Sequence, residues 1–277
     1  MTLSFEAPNI KQCEFFNART KFVAYGGARG GGKSWAVRKK AQLLAFSYPG
    51  IRMLLIRRSL PELRENHLLP LCAELGDAAR FKSADSCLVF HNGSRLKLGY
   101  CDNENDVLRY QGQEFDVIFI DEATQLTEQQ FIHLKYCLRG VNAFPKRIYL
   151  TCNPGGVGHA WVKRLFLDRE YKNGENPAEY TFIPARAADN EALLRSDPDY
   201  VSMLDELPDG LREAWRDGRW DIFAGQFFTE FERGVHVVRP FALPGYWRRY
   251  VTLDYGLDML ACLWIAADER GRSFVYR

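Results

Sequence analysis

The stretch Gly-Ala-Arg-Gly-Gly-Gly-Lys-Ser at residues 27–34 decides the fold class of this 277-residue chain. It fits the pattern G-x-x-x-x-G-K-[S/T], in which a glycine-rich turn directs several backbone N–H groups toward a phosphate chain. A β-prone run over 22–25 precedes it and a helical pattern over 33–46 follows it, as such a phosphate-binding loop (P-loop) requires. The predicted nucleotide-binding residues are Gly27, Gly30, Gly31, Gly32, Lys33 and Ser34.

The two polar residues at the end of this loop, Lys33 and Ser34, have expected roles. Lys33 is expected to bind the β- and γ-phosphates, and the hydroxyl of Ser34 is expected to bind Mg²⁺. The helix that follows adds the positive end of its dipole at the same place. The alternative, a glycine-rich turn with an unrelated lysine, becomes less favourable once the next motif is considered.

Residues 117–122 read Val-Ile-Phe-Ile-Asp-Glu and predict a second part of the site. Four apolar residues are typical of a strand that is buried on both faces of a parallel sheet. Ligands of open α/β sheets bind at the carboxyl ends of the strands. We therefore interpret Asp121 as a Mg²⁺-binding acid and Glu122 as the general base that polarises the attacking water. A solvated acidic turn is the alternative.

A third strand, predicted over 147–150, leads into Thr-Cys-Asn-Pro-Gly-Gly at residues 151–156. Thr151 and Asn153 would lie at the tip of this strand, where they could sense the γ-phosphate. The same residues also form a reasonable turn after any strand, so their assignment depends on the first two motifs.

Composition indicates a soluble intracellular protein. The formal net charge of +2 and the pI of about 8.1 lack the strong basic excess of a tight nucleic-acid binder. The seven cysteines never form a C-x-x-C pair, which predicts free thiols rather than a zinc site or a disulfide framework. Neither a signal peptide nor an apolar run of membrane-spanning length is found in the sequence.

Strand and helix patterns alternate along the first part of the chain, which predicts a mainly parallel sheet covered on both faces. The further predicted elements are a strand over 52–57, a helix over 60–75, a hairpin with arms at 88–90 and 96–98, and helices over 127–138 and 158–167.

The later part of the chain changes character. Residues 189–220 hold two helical stretches, and 221–249 are interpreted as a linker or small subdomain. A β pattern restarts at 250–253, followed by strands predicted over 261–267 and 273–276. Asp254, at the end of the first of these strands, suits a metal-dependent nuclease of the RNase H type, although an ordinary strand and turn is the alternative.

The order and spacing of these motifs resemble the ATPase domain of the large terminase subunit of tailed bacteriophages, over nearly the whole chain. The resemblance is carried by the segments 27–34, 117–123, 151–154, 189–220 and 254–256. It implies an α/β fold, a P-loop NTPase of the additional-strand catalytic-glutamate type, followed by the start of an RNase H-like domain. The implied domains are an ATPase domain at 1–188, a helical subdomain and linker at 189–249, and an incomplete nuclease domain at 250–277.

The resemblance also implies a function. Members of that family use ATP and Mg²⁺ to move double-stranded viral DNA into a procapsid. They are expected to work as a homo-oligomeric ring with a portal protein and a small terminase subunit, in the cytoplasm of the bacterial host and not at a membrane. A helicase-like or other DNA-remodelling ATPase is the alternative, and a nucleotide-binding scaffold without turnover is a third hypothesis.

Carried over by position, the resemblance assigns Thr151 and Asn153 to the coupling of hydrolysis with movement. Arg29 matches an arginine inside the P-loop that acts on the transferred phosphoryl group, and Gln12 matches a glutamine that recognises adenine. Arg139 follows a predicted helix and could act across a subunit boundary. The alternatives are a solvent-facing Arg29, a surface Gln12 and, favoured for Arg139, an arginine that binds carbonyls at a helix end.

The sequence departs from the family in its nuclease part. Only Asp254 matches a nuclease metal ligand, Asp258 is interpreted as a loop residue, and the chain ends at Arg277 after about three strands. We therefore expect an incomplete nuclease site without activity. The candidate DNA contacts are two basic clusters, Arg57-Arg58 and Arg248-Arg249, while Arg38-Lys39-Lys40 is expected to be an exposed helix face.

Overall fold

The structure is a computed structural model that describes residues 7–221, 233–255 and 260–277. It divides into two compact units, Met1–Phe227 and Phe228–Arg277. The helical segment after residue 189 belongs to the first unit. The domain boundaries implied by the family resemblance, after residues 188 and 249, stay predictions.

The first unit contains an eight-stranded sheet with the strand order β3-β4-β5-β2-β6-β7-β1-β8. The six strands from β5 to β8 in this order are parallel, and β3 and β4 add an antiparallel edge. The strands are β1 Phe22–Gly27, β2 Arg52–Arg57, β3 Ala79–Lys82, β4 Cys87–Phe90, β5 Arg95–Tyr100, β6 Val117–Ile120, β7 Arg147–Cys152 and β8 Tyr180–Ala185.

Helices cover this sheet. The α-helices of the first unit are α1 Ile10–Asn17, α2 Lys33–Ser47, α3 Leu60–Leu63, α4 Leu69–Leu75, α5 Glu128–Cys137, α6 His159–Val162, α7 Glu191–Ser196, α8 Tyr200–Asp205 and α9 Asp209–Trp215. A π-helical turn, Arg64–Leu68, joins α3 to α4, and a second, Lys163–Asp168, continues α6. Short 3₁₀ turns are found at Gly76–Ala78, Glu104–Tyr110, Ala123–Gln125, Pro177–Glu179 and Ala187–Asp189.

The central strands are apolar on both faces because both faces are covered. Successive residues of a strand point to opposite sides of a sheet. Val23 and Phe119 accordingly belong to one buried cluster, and Ala24 and Ile118 belong to the other. All four residues of β6 are buried, as the sequence predicted for a strand inside a parallel sheet.

The order of the central strands defines the class of sheet. β7 lies between β1, which leads into the P-loop, and β6, which leads into the acidic pair. β1 pairs with β7, and β7 pairs with β6, all in parallel register. An additional strand between the two nucleotide-site strands distinguishes the predicted type of P-loop NTPase, so the predicted α/β fold class is confirmed for the first unit.

Most predicted elements of the first unit are confirmed, and three of its helices and strands were missed. The sequence did not predict α1, β3 or β8. β8 contains Pro184, a residue that removes a backbone donor and is tolerated mainly at sheet edges; β8 is an edge strand. The helix predicted over 60–75 is present, but it is interrupted by the π-helical turn.

The prediction of an exposed basic face on α2 is wrong. Lys39 and Lys40 are buried, and Arg38 and Lys39 both form ion pairs with Glu74. The ammonium of Lys40 donates to the carbonyl of Phe16 at 2.6 Å. This face packs against α1 and α4 because a helix inside an α/β layer buries the aliphatic stems of long cationic side chains.

The second unit, over its described residues, contains one short helix, α10 Arg233–His236, and an antiparallel sheet in the order β11-β10-β9. Its strands are β9 Arg248–Tyr255, β10 Leu260–Ala267 and β11 Ser273–Val275. Asp254 pairs with Ala261 across β9 and β10. Asp258 and part of the predicted linker, 222–232, lie outside the described residues. The start of an RNase H-like fold stays a prediction.

Two further features concern the chemistry of the chain. All seven cysteines are free thiols, and four of them, Cys87, Cys101, Cys137 and Cys152, are buried. Over the described ranges, none of the helices combines the length and the apolar character that crossing a membrane requires.

Candidate functional site

The P-loop connects β1 to α2 through three glycines with positive φ angles. Gly27, Gly30 and Gly32 have φ values of 131°, 77° and 70°, which residues other than glycine rarely adopt. α2 begins at Lys33, directly after this turn. The N-terminus of a fifteen-residue helix therefore faces the loop, with its free N–H groups and positive dipole end.

The glycines are also required by close packing around the loop. A Cβ atom at Gly32 would lie 2.5 Å from Nε2 of Gln12, and one at Gly31 would lie 2.9 Å from Cβ of Ala185. At Gly30 it would lie 2.6 Å from the ring of Tyr200. The loop is therefore enclosed by α1, β8 and α8.

Asp121 lies at the end of β6 and is completely buried. Its carboxylate accepts hydrogen bonds from Ser34 Oγ, at 3.2 Å from each oxygen, and from Thr151 Oγ1, at 2.6 Å. The structure therefore brings together the predicted residues of the P-loop, the acidic pair and the third strand.

Two residues that the sequence did not assign to the site also contact Asp121. Nε2 of His67 lies 2.8 Å from Oδ2, and Nη1 of Arg57 lies 3.1 Å from the same oxygen. Burial alone would raise the pKa of Asp121, but the interactions with His67, Arg57 and Thr151 outweigh it and lower that pKa below its usual range. Asp121 is therefore an ionised carboxylate at neutral pH.

The contact of Arg57 corrects a prediction about DNA binding. Its side chain is only 12% exposed and is shared between Asp121 and Glu62. Arg57 therefore belongs to the site rather than to a free basic surface. The neighbouring Arg58 is more than half exposed and lies 3.8 Å from a carboxylate oxygen of Asp102.

Glu122 adopts a left-handed backbone conformation, with φ of 57° and ψ of 53°. This is an uncommon conformation for a residue with a side chain and costs about 1 kcal/mol. The hydroxyl of Thr151 accepts a hydrogen bond from the backbone N–H of Glu122 at 2.9 Å, which stabilises the turn. The turn directs the side chain of Glu122 into the same cleft as Lys33 and Arg57.

The carboxylate of Glu122 is bound by Asn153. The amide nitrogen of Asn153 donates to both carboxylate oxygens, at 2.9 and 2.8 Å. Burial and the charge of Asp121 nevertheless raise the pKa of Glu122 above its ordinary value, against the opposing effects of Lys33, Arg57 and Asn153. A carboxylate with a raised pKa is a stronger proton acceptor, as a general base requires.

Lys33 folds back toward its own loop. Its ammonium donates to the carbonyl of Ala28 at 2.5 Å and is almost completely buried. Desolvation lowers the pKa of Lys33, although the charges of Glu122, Cys152 and Asp121 oppose that shift. The cation is thus held within the turn, next to both acidic residues.

The segment that follows β8 packs onto the P-loop. Asn190 donates to the carbonyl of Gly30 at 2.7 Å, and the backbone N–H of Arg29 donates to the carbonyl of Trp215 at 2.7 Å. Gly218, which has φ of 68°, lies so close that a Cβ atom there would be 2.8 Å from the backbone nitrogen of Ala28. The loop conformation therefore depends on residues about 160 to 190 positions later in the chain.

The structure also places the three remaining residues that the sequence singled out. The guanidinium carbon of Arg29 lies 3.4 Å from the centroid of the Trp215 ring, in a cation–π contact at the edge of the cleft. Gln12 is buried, with Nε2 at 3.4 Å from the carbonyl of Gly32. Arg139 follows α5, donates to the carbonyl of Gly112 at 3.2 Å and lies 3.6 Å from a carboxylate oxygen of Glu114. This carbonyl does not belong to the end of α5, so both roles considered for Arg139 stay predictions.

A cleft of about 680 Å³, a size suited to a nucleotide, is lined by the P-loop residues 29–34 together with Arg57, Glu122 and Asn153. Within the described residues, Oε1 of Gln125 and Oδ1 of Asn153, from two residues of its lining, are buried and lack a hydrogen-bond partner. Ser34 supplies a hydroxyl and Asp121 a carboxylate, which are the oxygen ligands that Mg²⁺ prefers. The residues present therefore fit a nucleotide and a magnesium ion.

Three of the residues that the sequence singled out lie in the second unit. Asp254, Arg248 and Arg249 are exposed on β9. Across the described parts of the chain, no group of three or more His, Cys, Asp and Glu side chains could hold a metal ion. The proposed role of Asp254 as a ligand of an incomplete nuclease site stays a prediction, and so does DNA contact by the two arginines.

Sequence reasoning missed His67, Trp215 and the role of Arg57 in the site. His67 lies within a helical pattern, where a buried histidine resembles any other core residue. Arg57 does have a signal that could have been used, because it is the last residue of β2, and β2 pairs with the strand that leads into the acidic pair. In a parallel sheet, neighbouring strands end at the same edge.

The strand order, the P-loop and the acidic pair define a P-loop NTPase of the additional-strand class. The family model of the phage terminase large subunit matches residues 18–216, and the chain belongs to this family. None of the curated proteins matches the chain significantly.

Solved structures show the same fold. The large terminase of the thermophilic bacteriophage D6E in complex with ADP is 18% identical, with a TM-score of 0.64 over 97% of this chain and 68% of that one. The same terminase in complex with ATP-gamma-S is 17% identical, with a TM-score of 0.60 and the same coverage. The large terminase ATPase domain of Thermus phage P74-26 is 16% identical, with a TM-score of 0.55 over 77% of this chain and 94% of that domain.

Proposed function

We propose that this chain is the ATP-hydrolysing motor subunit that moves double-stranded viral DNA into a procapsid. The observation that carries the proposal is the position of Ser34, whose hydroxyl lies 3.2 Å from both carboxylate oxygens of Asp121. This contact joins the P-loop to the end of β6, next to Glu122. It brings the residues for phosphate binding, cation binding and water activation together at one edge of the sheet.

Each residue of the site has a proposed role. The backbone N–H groups of the P-loop and the ammonium of Lys33 bind the phosphates, and Ser34 and Asp121 bind Mg²⁺. A bound magnesium ion neutralises charge on the phosphate oxygens. Glu122 orients the attacking water and accepts its proton, while Arg29 stabilises negative charge that develops on the transferred group.

Coupling is assigned to the residues that contact the acidic pair from β7. Thr151 binds Asp121 and the backbone of Glu122, and Asn153 binds the carboxylate of Glu122. A change in charge or position at Glu122 is therefore transmitted directly to β7. Gln12 is proposed to recognise the adenine, since α1 places it against Gly32 of the P-loop.

The partners follow from family membership rather than from a surface of this chain. We propose contact with the DNA backbone, a portal protein, a small terminase subunit and other copies of the chain in a ring. The D6E terminase complexes contain ADP or ATP-gamma-S, which supports ATP as the nucleotide here. The proposed location is the cytoplasm of the bacterial host.

Steady-state ATP hydrolysis by the purified chain, with Mg²⁺ and with or without double-stranded DNA, tests this function. We expect Mg²⁺-dependent hydrolysis that Lys33→Ala abolishes together with most nucleotide binding. The exposed Lys172→Ala is the matched control and should hydrolyse ATP normally. Nucleotide binding without turnover would contradict the motor function and favour a scaffold. Separation of the strands of a forked duplex would favour the helicase-like alternative.

A further inference from the structure

The buried carboxylate of Asp121 contacts two residues, Arg57 and His67, that are not among the proposed ligands of the cation. Ser34 and Thr151 are neutral donors, whereas Arg57 adds a full positive charge to Oδ2. His67 donates to the same oxygen from the π-helical turn. The site therefore contains, besides the proposed cation ligands, an arginine that competes with a cation for Oδ2 and a buried histidine that donates to the same oxygen.

His67 is held in a fixed orientation. Both its side chain and that of Asp121 have no exposed surface, and the Nε2–Oδ2 distance is 2.8 Å. Within the described residues, Nδ1 of His67 is buried without a hydrogen-bond partner, so the contact with Asp121 is the polar contact that the ring makes. A ring fixed on one side of Oδ2 restricts rotation of the carboxylate and keeps its other lone pairs directed toward Ser34.

Arg57 differs from His67 because it has an alternative partner in the cleft. Its Nε donates to Glu62 at 3.1 Å, and Glu62 is exposed on α3. Arg57, Glu62 and Glu122 all line the cleft that contains the P-loop. The bond to Glu62 holds the guanidinium in the cleft independently of its contact with Asp121. A divalent cation at Asp121 would be repelled by the guanidinium for as long as it stays there.

We propose that His67 and Arg57 are positioning residues that act on Asp121 in opposite directions, so that His67 favours the binding of a divalent cation and Arg57 opposes it until its guanidinium moves away. This inference rests on the proposed nucleotide site. It makes α3 and the π-helical turn part of the cation-binding machinery, since these elements carry Glu62 and His67.

The test is Mn²⁺ affinity, measured by electron paramagnetic resonance on the full chain at saturating ADP. We expect Arg57→Ala to tighten Mn²⁺ binding at least about threefold because a competing charge is lost, and Arg57→Lys to stay close to the unsubstituted chain. We expect His67→Met, which fills the space without a donor, to weaken Mn²⁺ binding at least about threefold. His67→Gln should restore the affinity because its amide can donate.

Two matched controls separate this effect from general damage. Arg58→Ala removes the neighbouring arginine, which pairs with Asp102, and His133→Met changes an exposed histidine on α5. Neither should change Mn²⁺ affinity. ADP affinity and the thermal midpoint are measured for every variant. A purely structural role would lower the midpoint of both substituted chains without shifting Mn²⁺ affinity in opposite directions.

The outcomes distinguish the inference from the proposed function. If the unsubstituted chain binds no Mn²⁺ at saturating ADP, the proposed nucleotide site is wrong and this inference fails with it. If it binds Mn²⁺ but Arg57→Ala and His67→Met leave the affinity unchanged or shift it in the same direction, the inference alone is overturned. If His67→Met does not fold, loss of affinity in His67→Gln despite normal folding overturns the role of His67.

Discussion

The side-chain amide of Asn153 donates to both carboxylate oxygens of Glu122, at 2.9 and 2.8 Å. Asn153 follows β7, and Glu122 follows β6, so this bond connects the ends of two adjacent strands. It stabilises the ionised carboxylate in a buried setting that otherwise raises the pKa of Glu122. Asn153 therefore affects both the orientation and the protonation of the proposed base.

Substitution Asn153→Ala should reduce kcat about tenfold, since a hydrogen bond to a charged group contributes about 1.5 kcal/mol. The pKa of Glu122 should rise further when the donor is lost. Since hydrolysis requires the ionised base, the acidic limb of the pH–rate profile should move to higher pH. Asn142→Ala, which removes an amide bound to Asp116 away from the cleft, should leave the limb in place. An unmoved limb in Asn153→Ala would contradict this role.

Substitution Glu122→Gln should allow nucleotide binding while lowering turnover by about 10²–10⁴-fold, because the amide cannot accept the proton of water. Nucleotide affinity from calorimetry and turnover from phosphate release measure the two effects separately. Glu128→Gln is the matched control, since Glu128 forms ion pairs with Arg164 and Lys172 outside the cleft. Turnover at the level of the unsubstituted chain would exclude Glu122 as the base.

Substitution Arg29→Ala should lower kcat by about 10³-fold with a smaller effect on ADP affinity, the pattern of an arginine that acts on the transferred phosphoryl group. Trp215→Ala should cause a smaller loss, because it removes the ring that orients the guanidinium but leaves the charge. Trp215→Phe should recover part of this loss. Equal kcat values in Arg29→Ala and the unsubstituted chain would support the solvent-facing alternative.

Lys40 should make stability depend on alkaline pH. Burial, with smaller effects of Arg147 and Arg19, lowers the pKa of Lys40 from 10.5 to about 8. Between these values the unfolded chain holds a proton that the folded protein has lost, so the contribution of Lys40 to stability rises with pH, by up to about 3 kcal/mol. Below about pH 8 the ammonium is charged in both states and its burial is fully unfavourable.

Urea unfolding of the unsubstituted chain and Lys40→Met, compared near pH 7 and near pH 10, measures this contribution. The stability difference between the two should shift in favour of the unsubstituted chain at the higher pH. Comparison of the pair cancels the opposing titration of buried groups such as Tyr25 and Tyr110, whose pKa values are raised. The exposed Lys172→Met should show no such shift. A constant difference for Lys40→Met would contradict the prediction.

The sequence predicted the parts of the site that lie in short, contiguous motifs. The P-loop, Asp121 and Glu122 are each preceded by a strand, and parallel strands end at one edge, so their proximity follows from local patterns. The contacts of His67 and Arg57 with Asp121 depend on how α3 and the π-helical turn pack over β2 and β6, which no local pattern specifies.

Surface exposure was predicted less well than secondary structure. The cluster Arg38-Lys39-Lys40 is charged in sequence, yet Glu74 and a backbone carbonyl on neighbouring elements allow it to be buried. The packing of 190–220 on the P-loop could not be predicted either, because Asn190 and the main-chain carbonyl of Trp215 bind backbone atoms of the loop, and backbone contacts leave no local pattern in the sequence.

Gly218, near the end of the segment 190–220, should not tolerate substitution. Any side chain there would meet the main chain of Gly27 and Ala28 at 3.0 Å or less, as well as being strained by the positive φ angle. A library with every amino acid at this position, selected for phage growth, should return glycine almost alone. Intolerance to substitution would thus identify Gly218 as a ninth member of the phosphate-binding turn, contributed by a remote part of the chain.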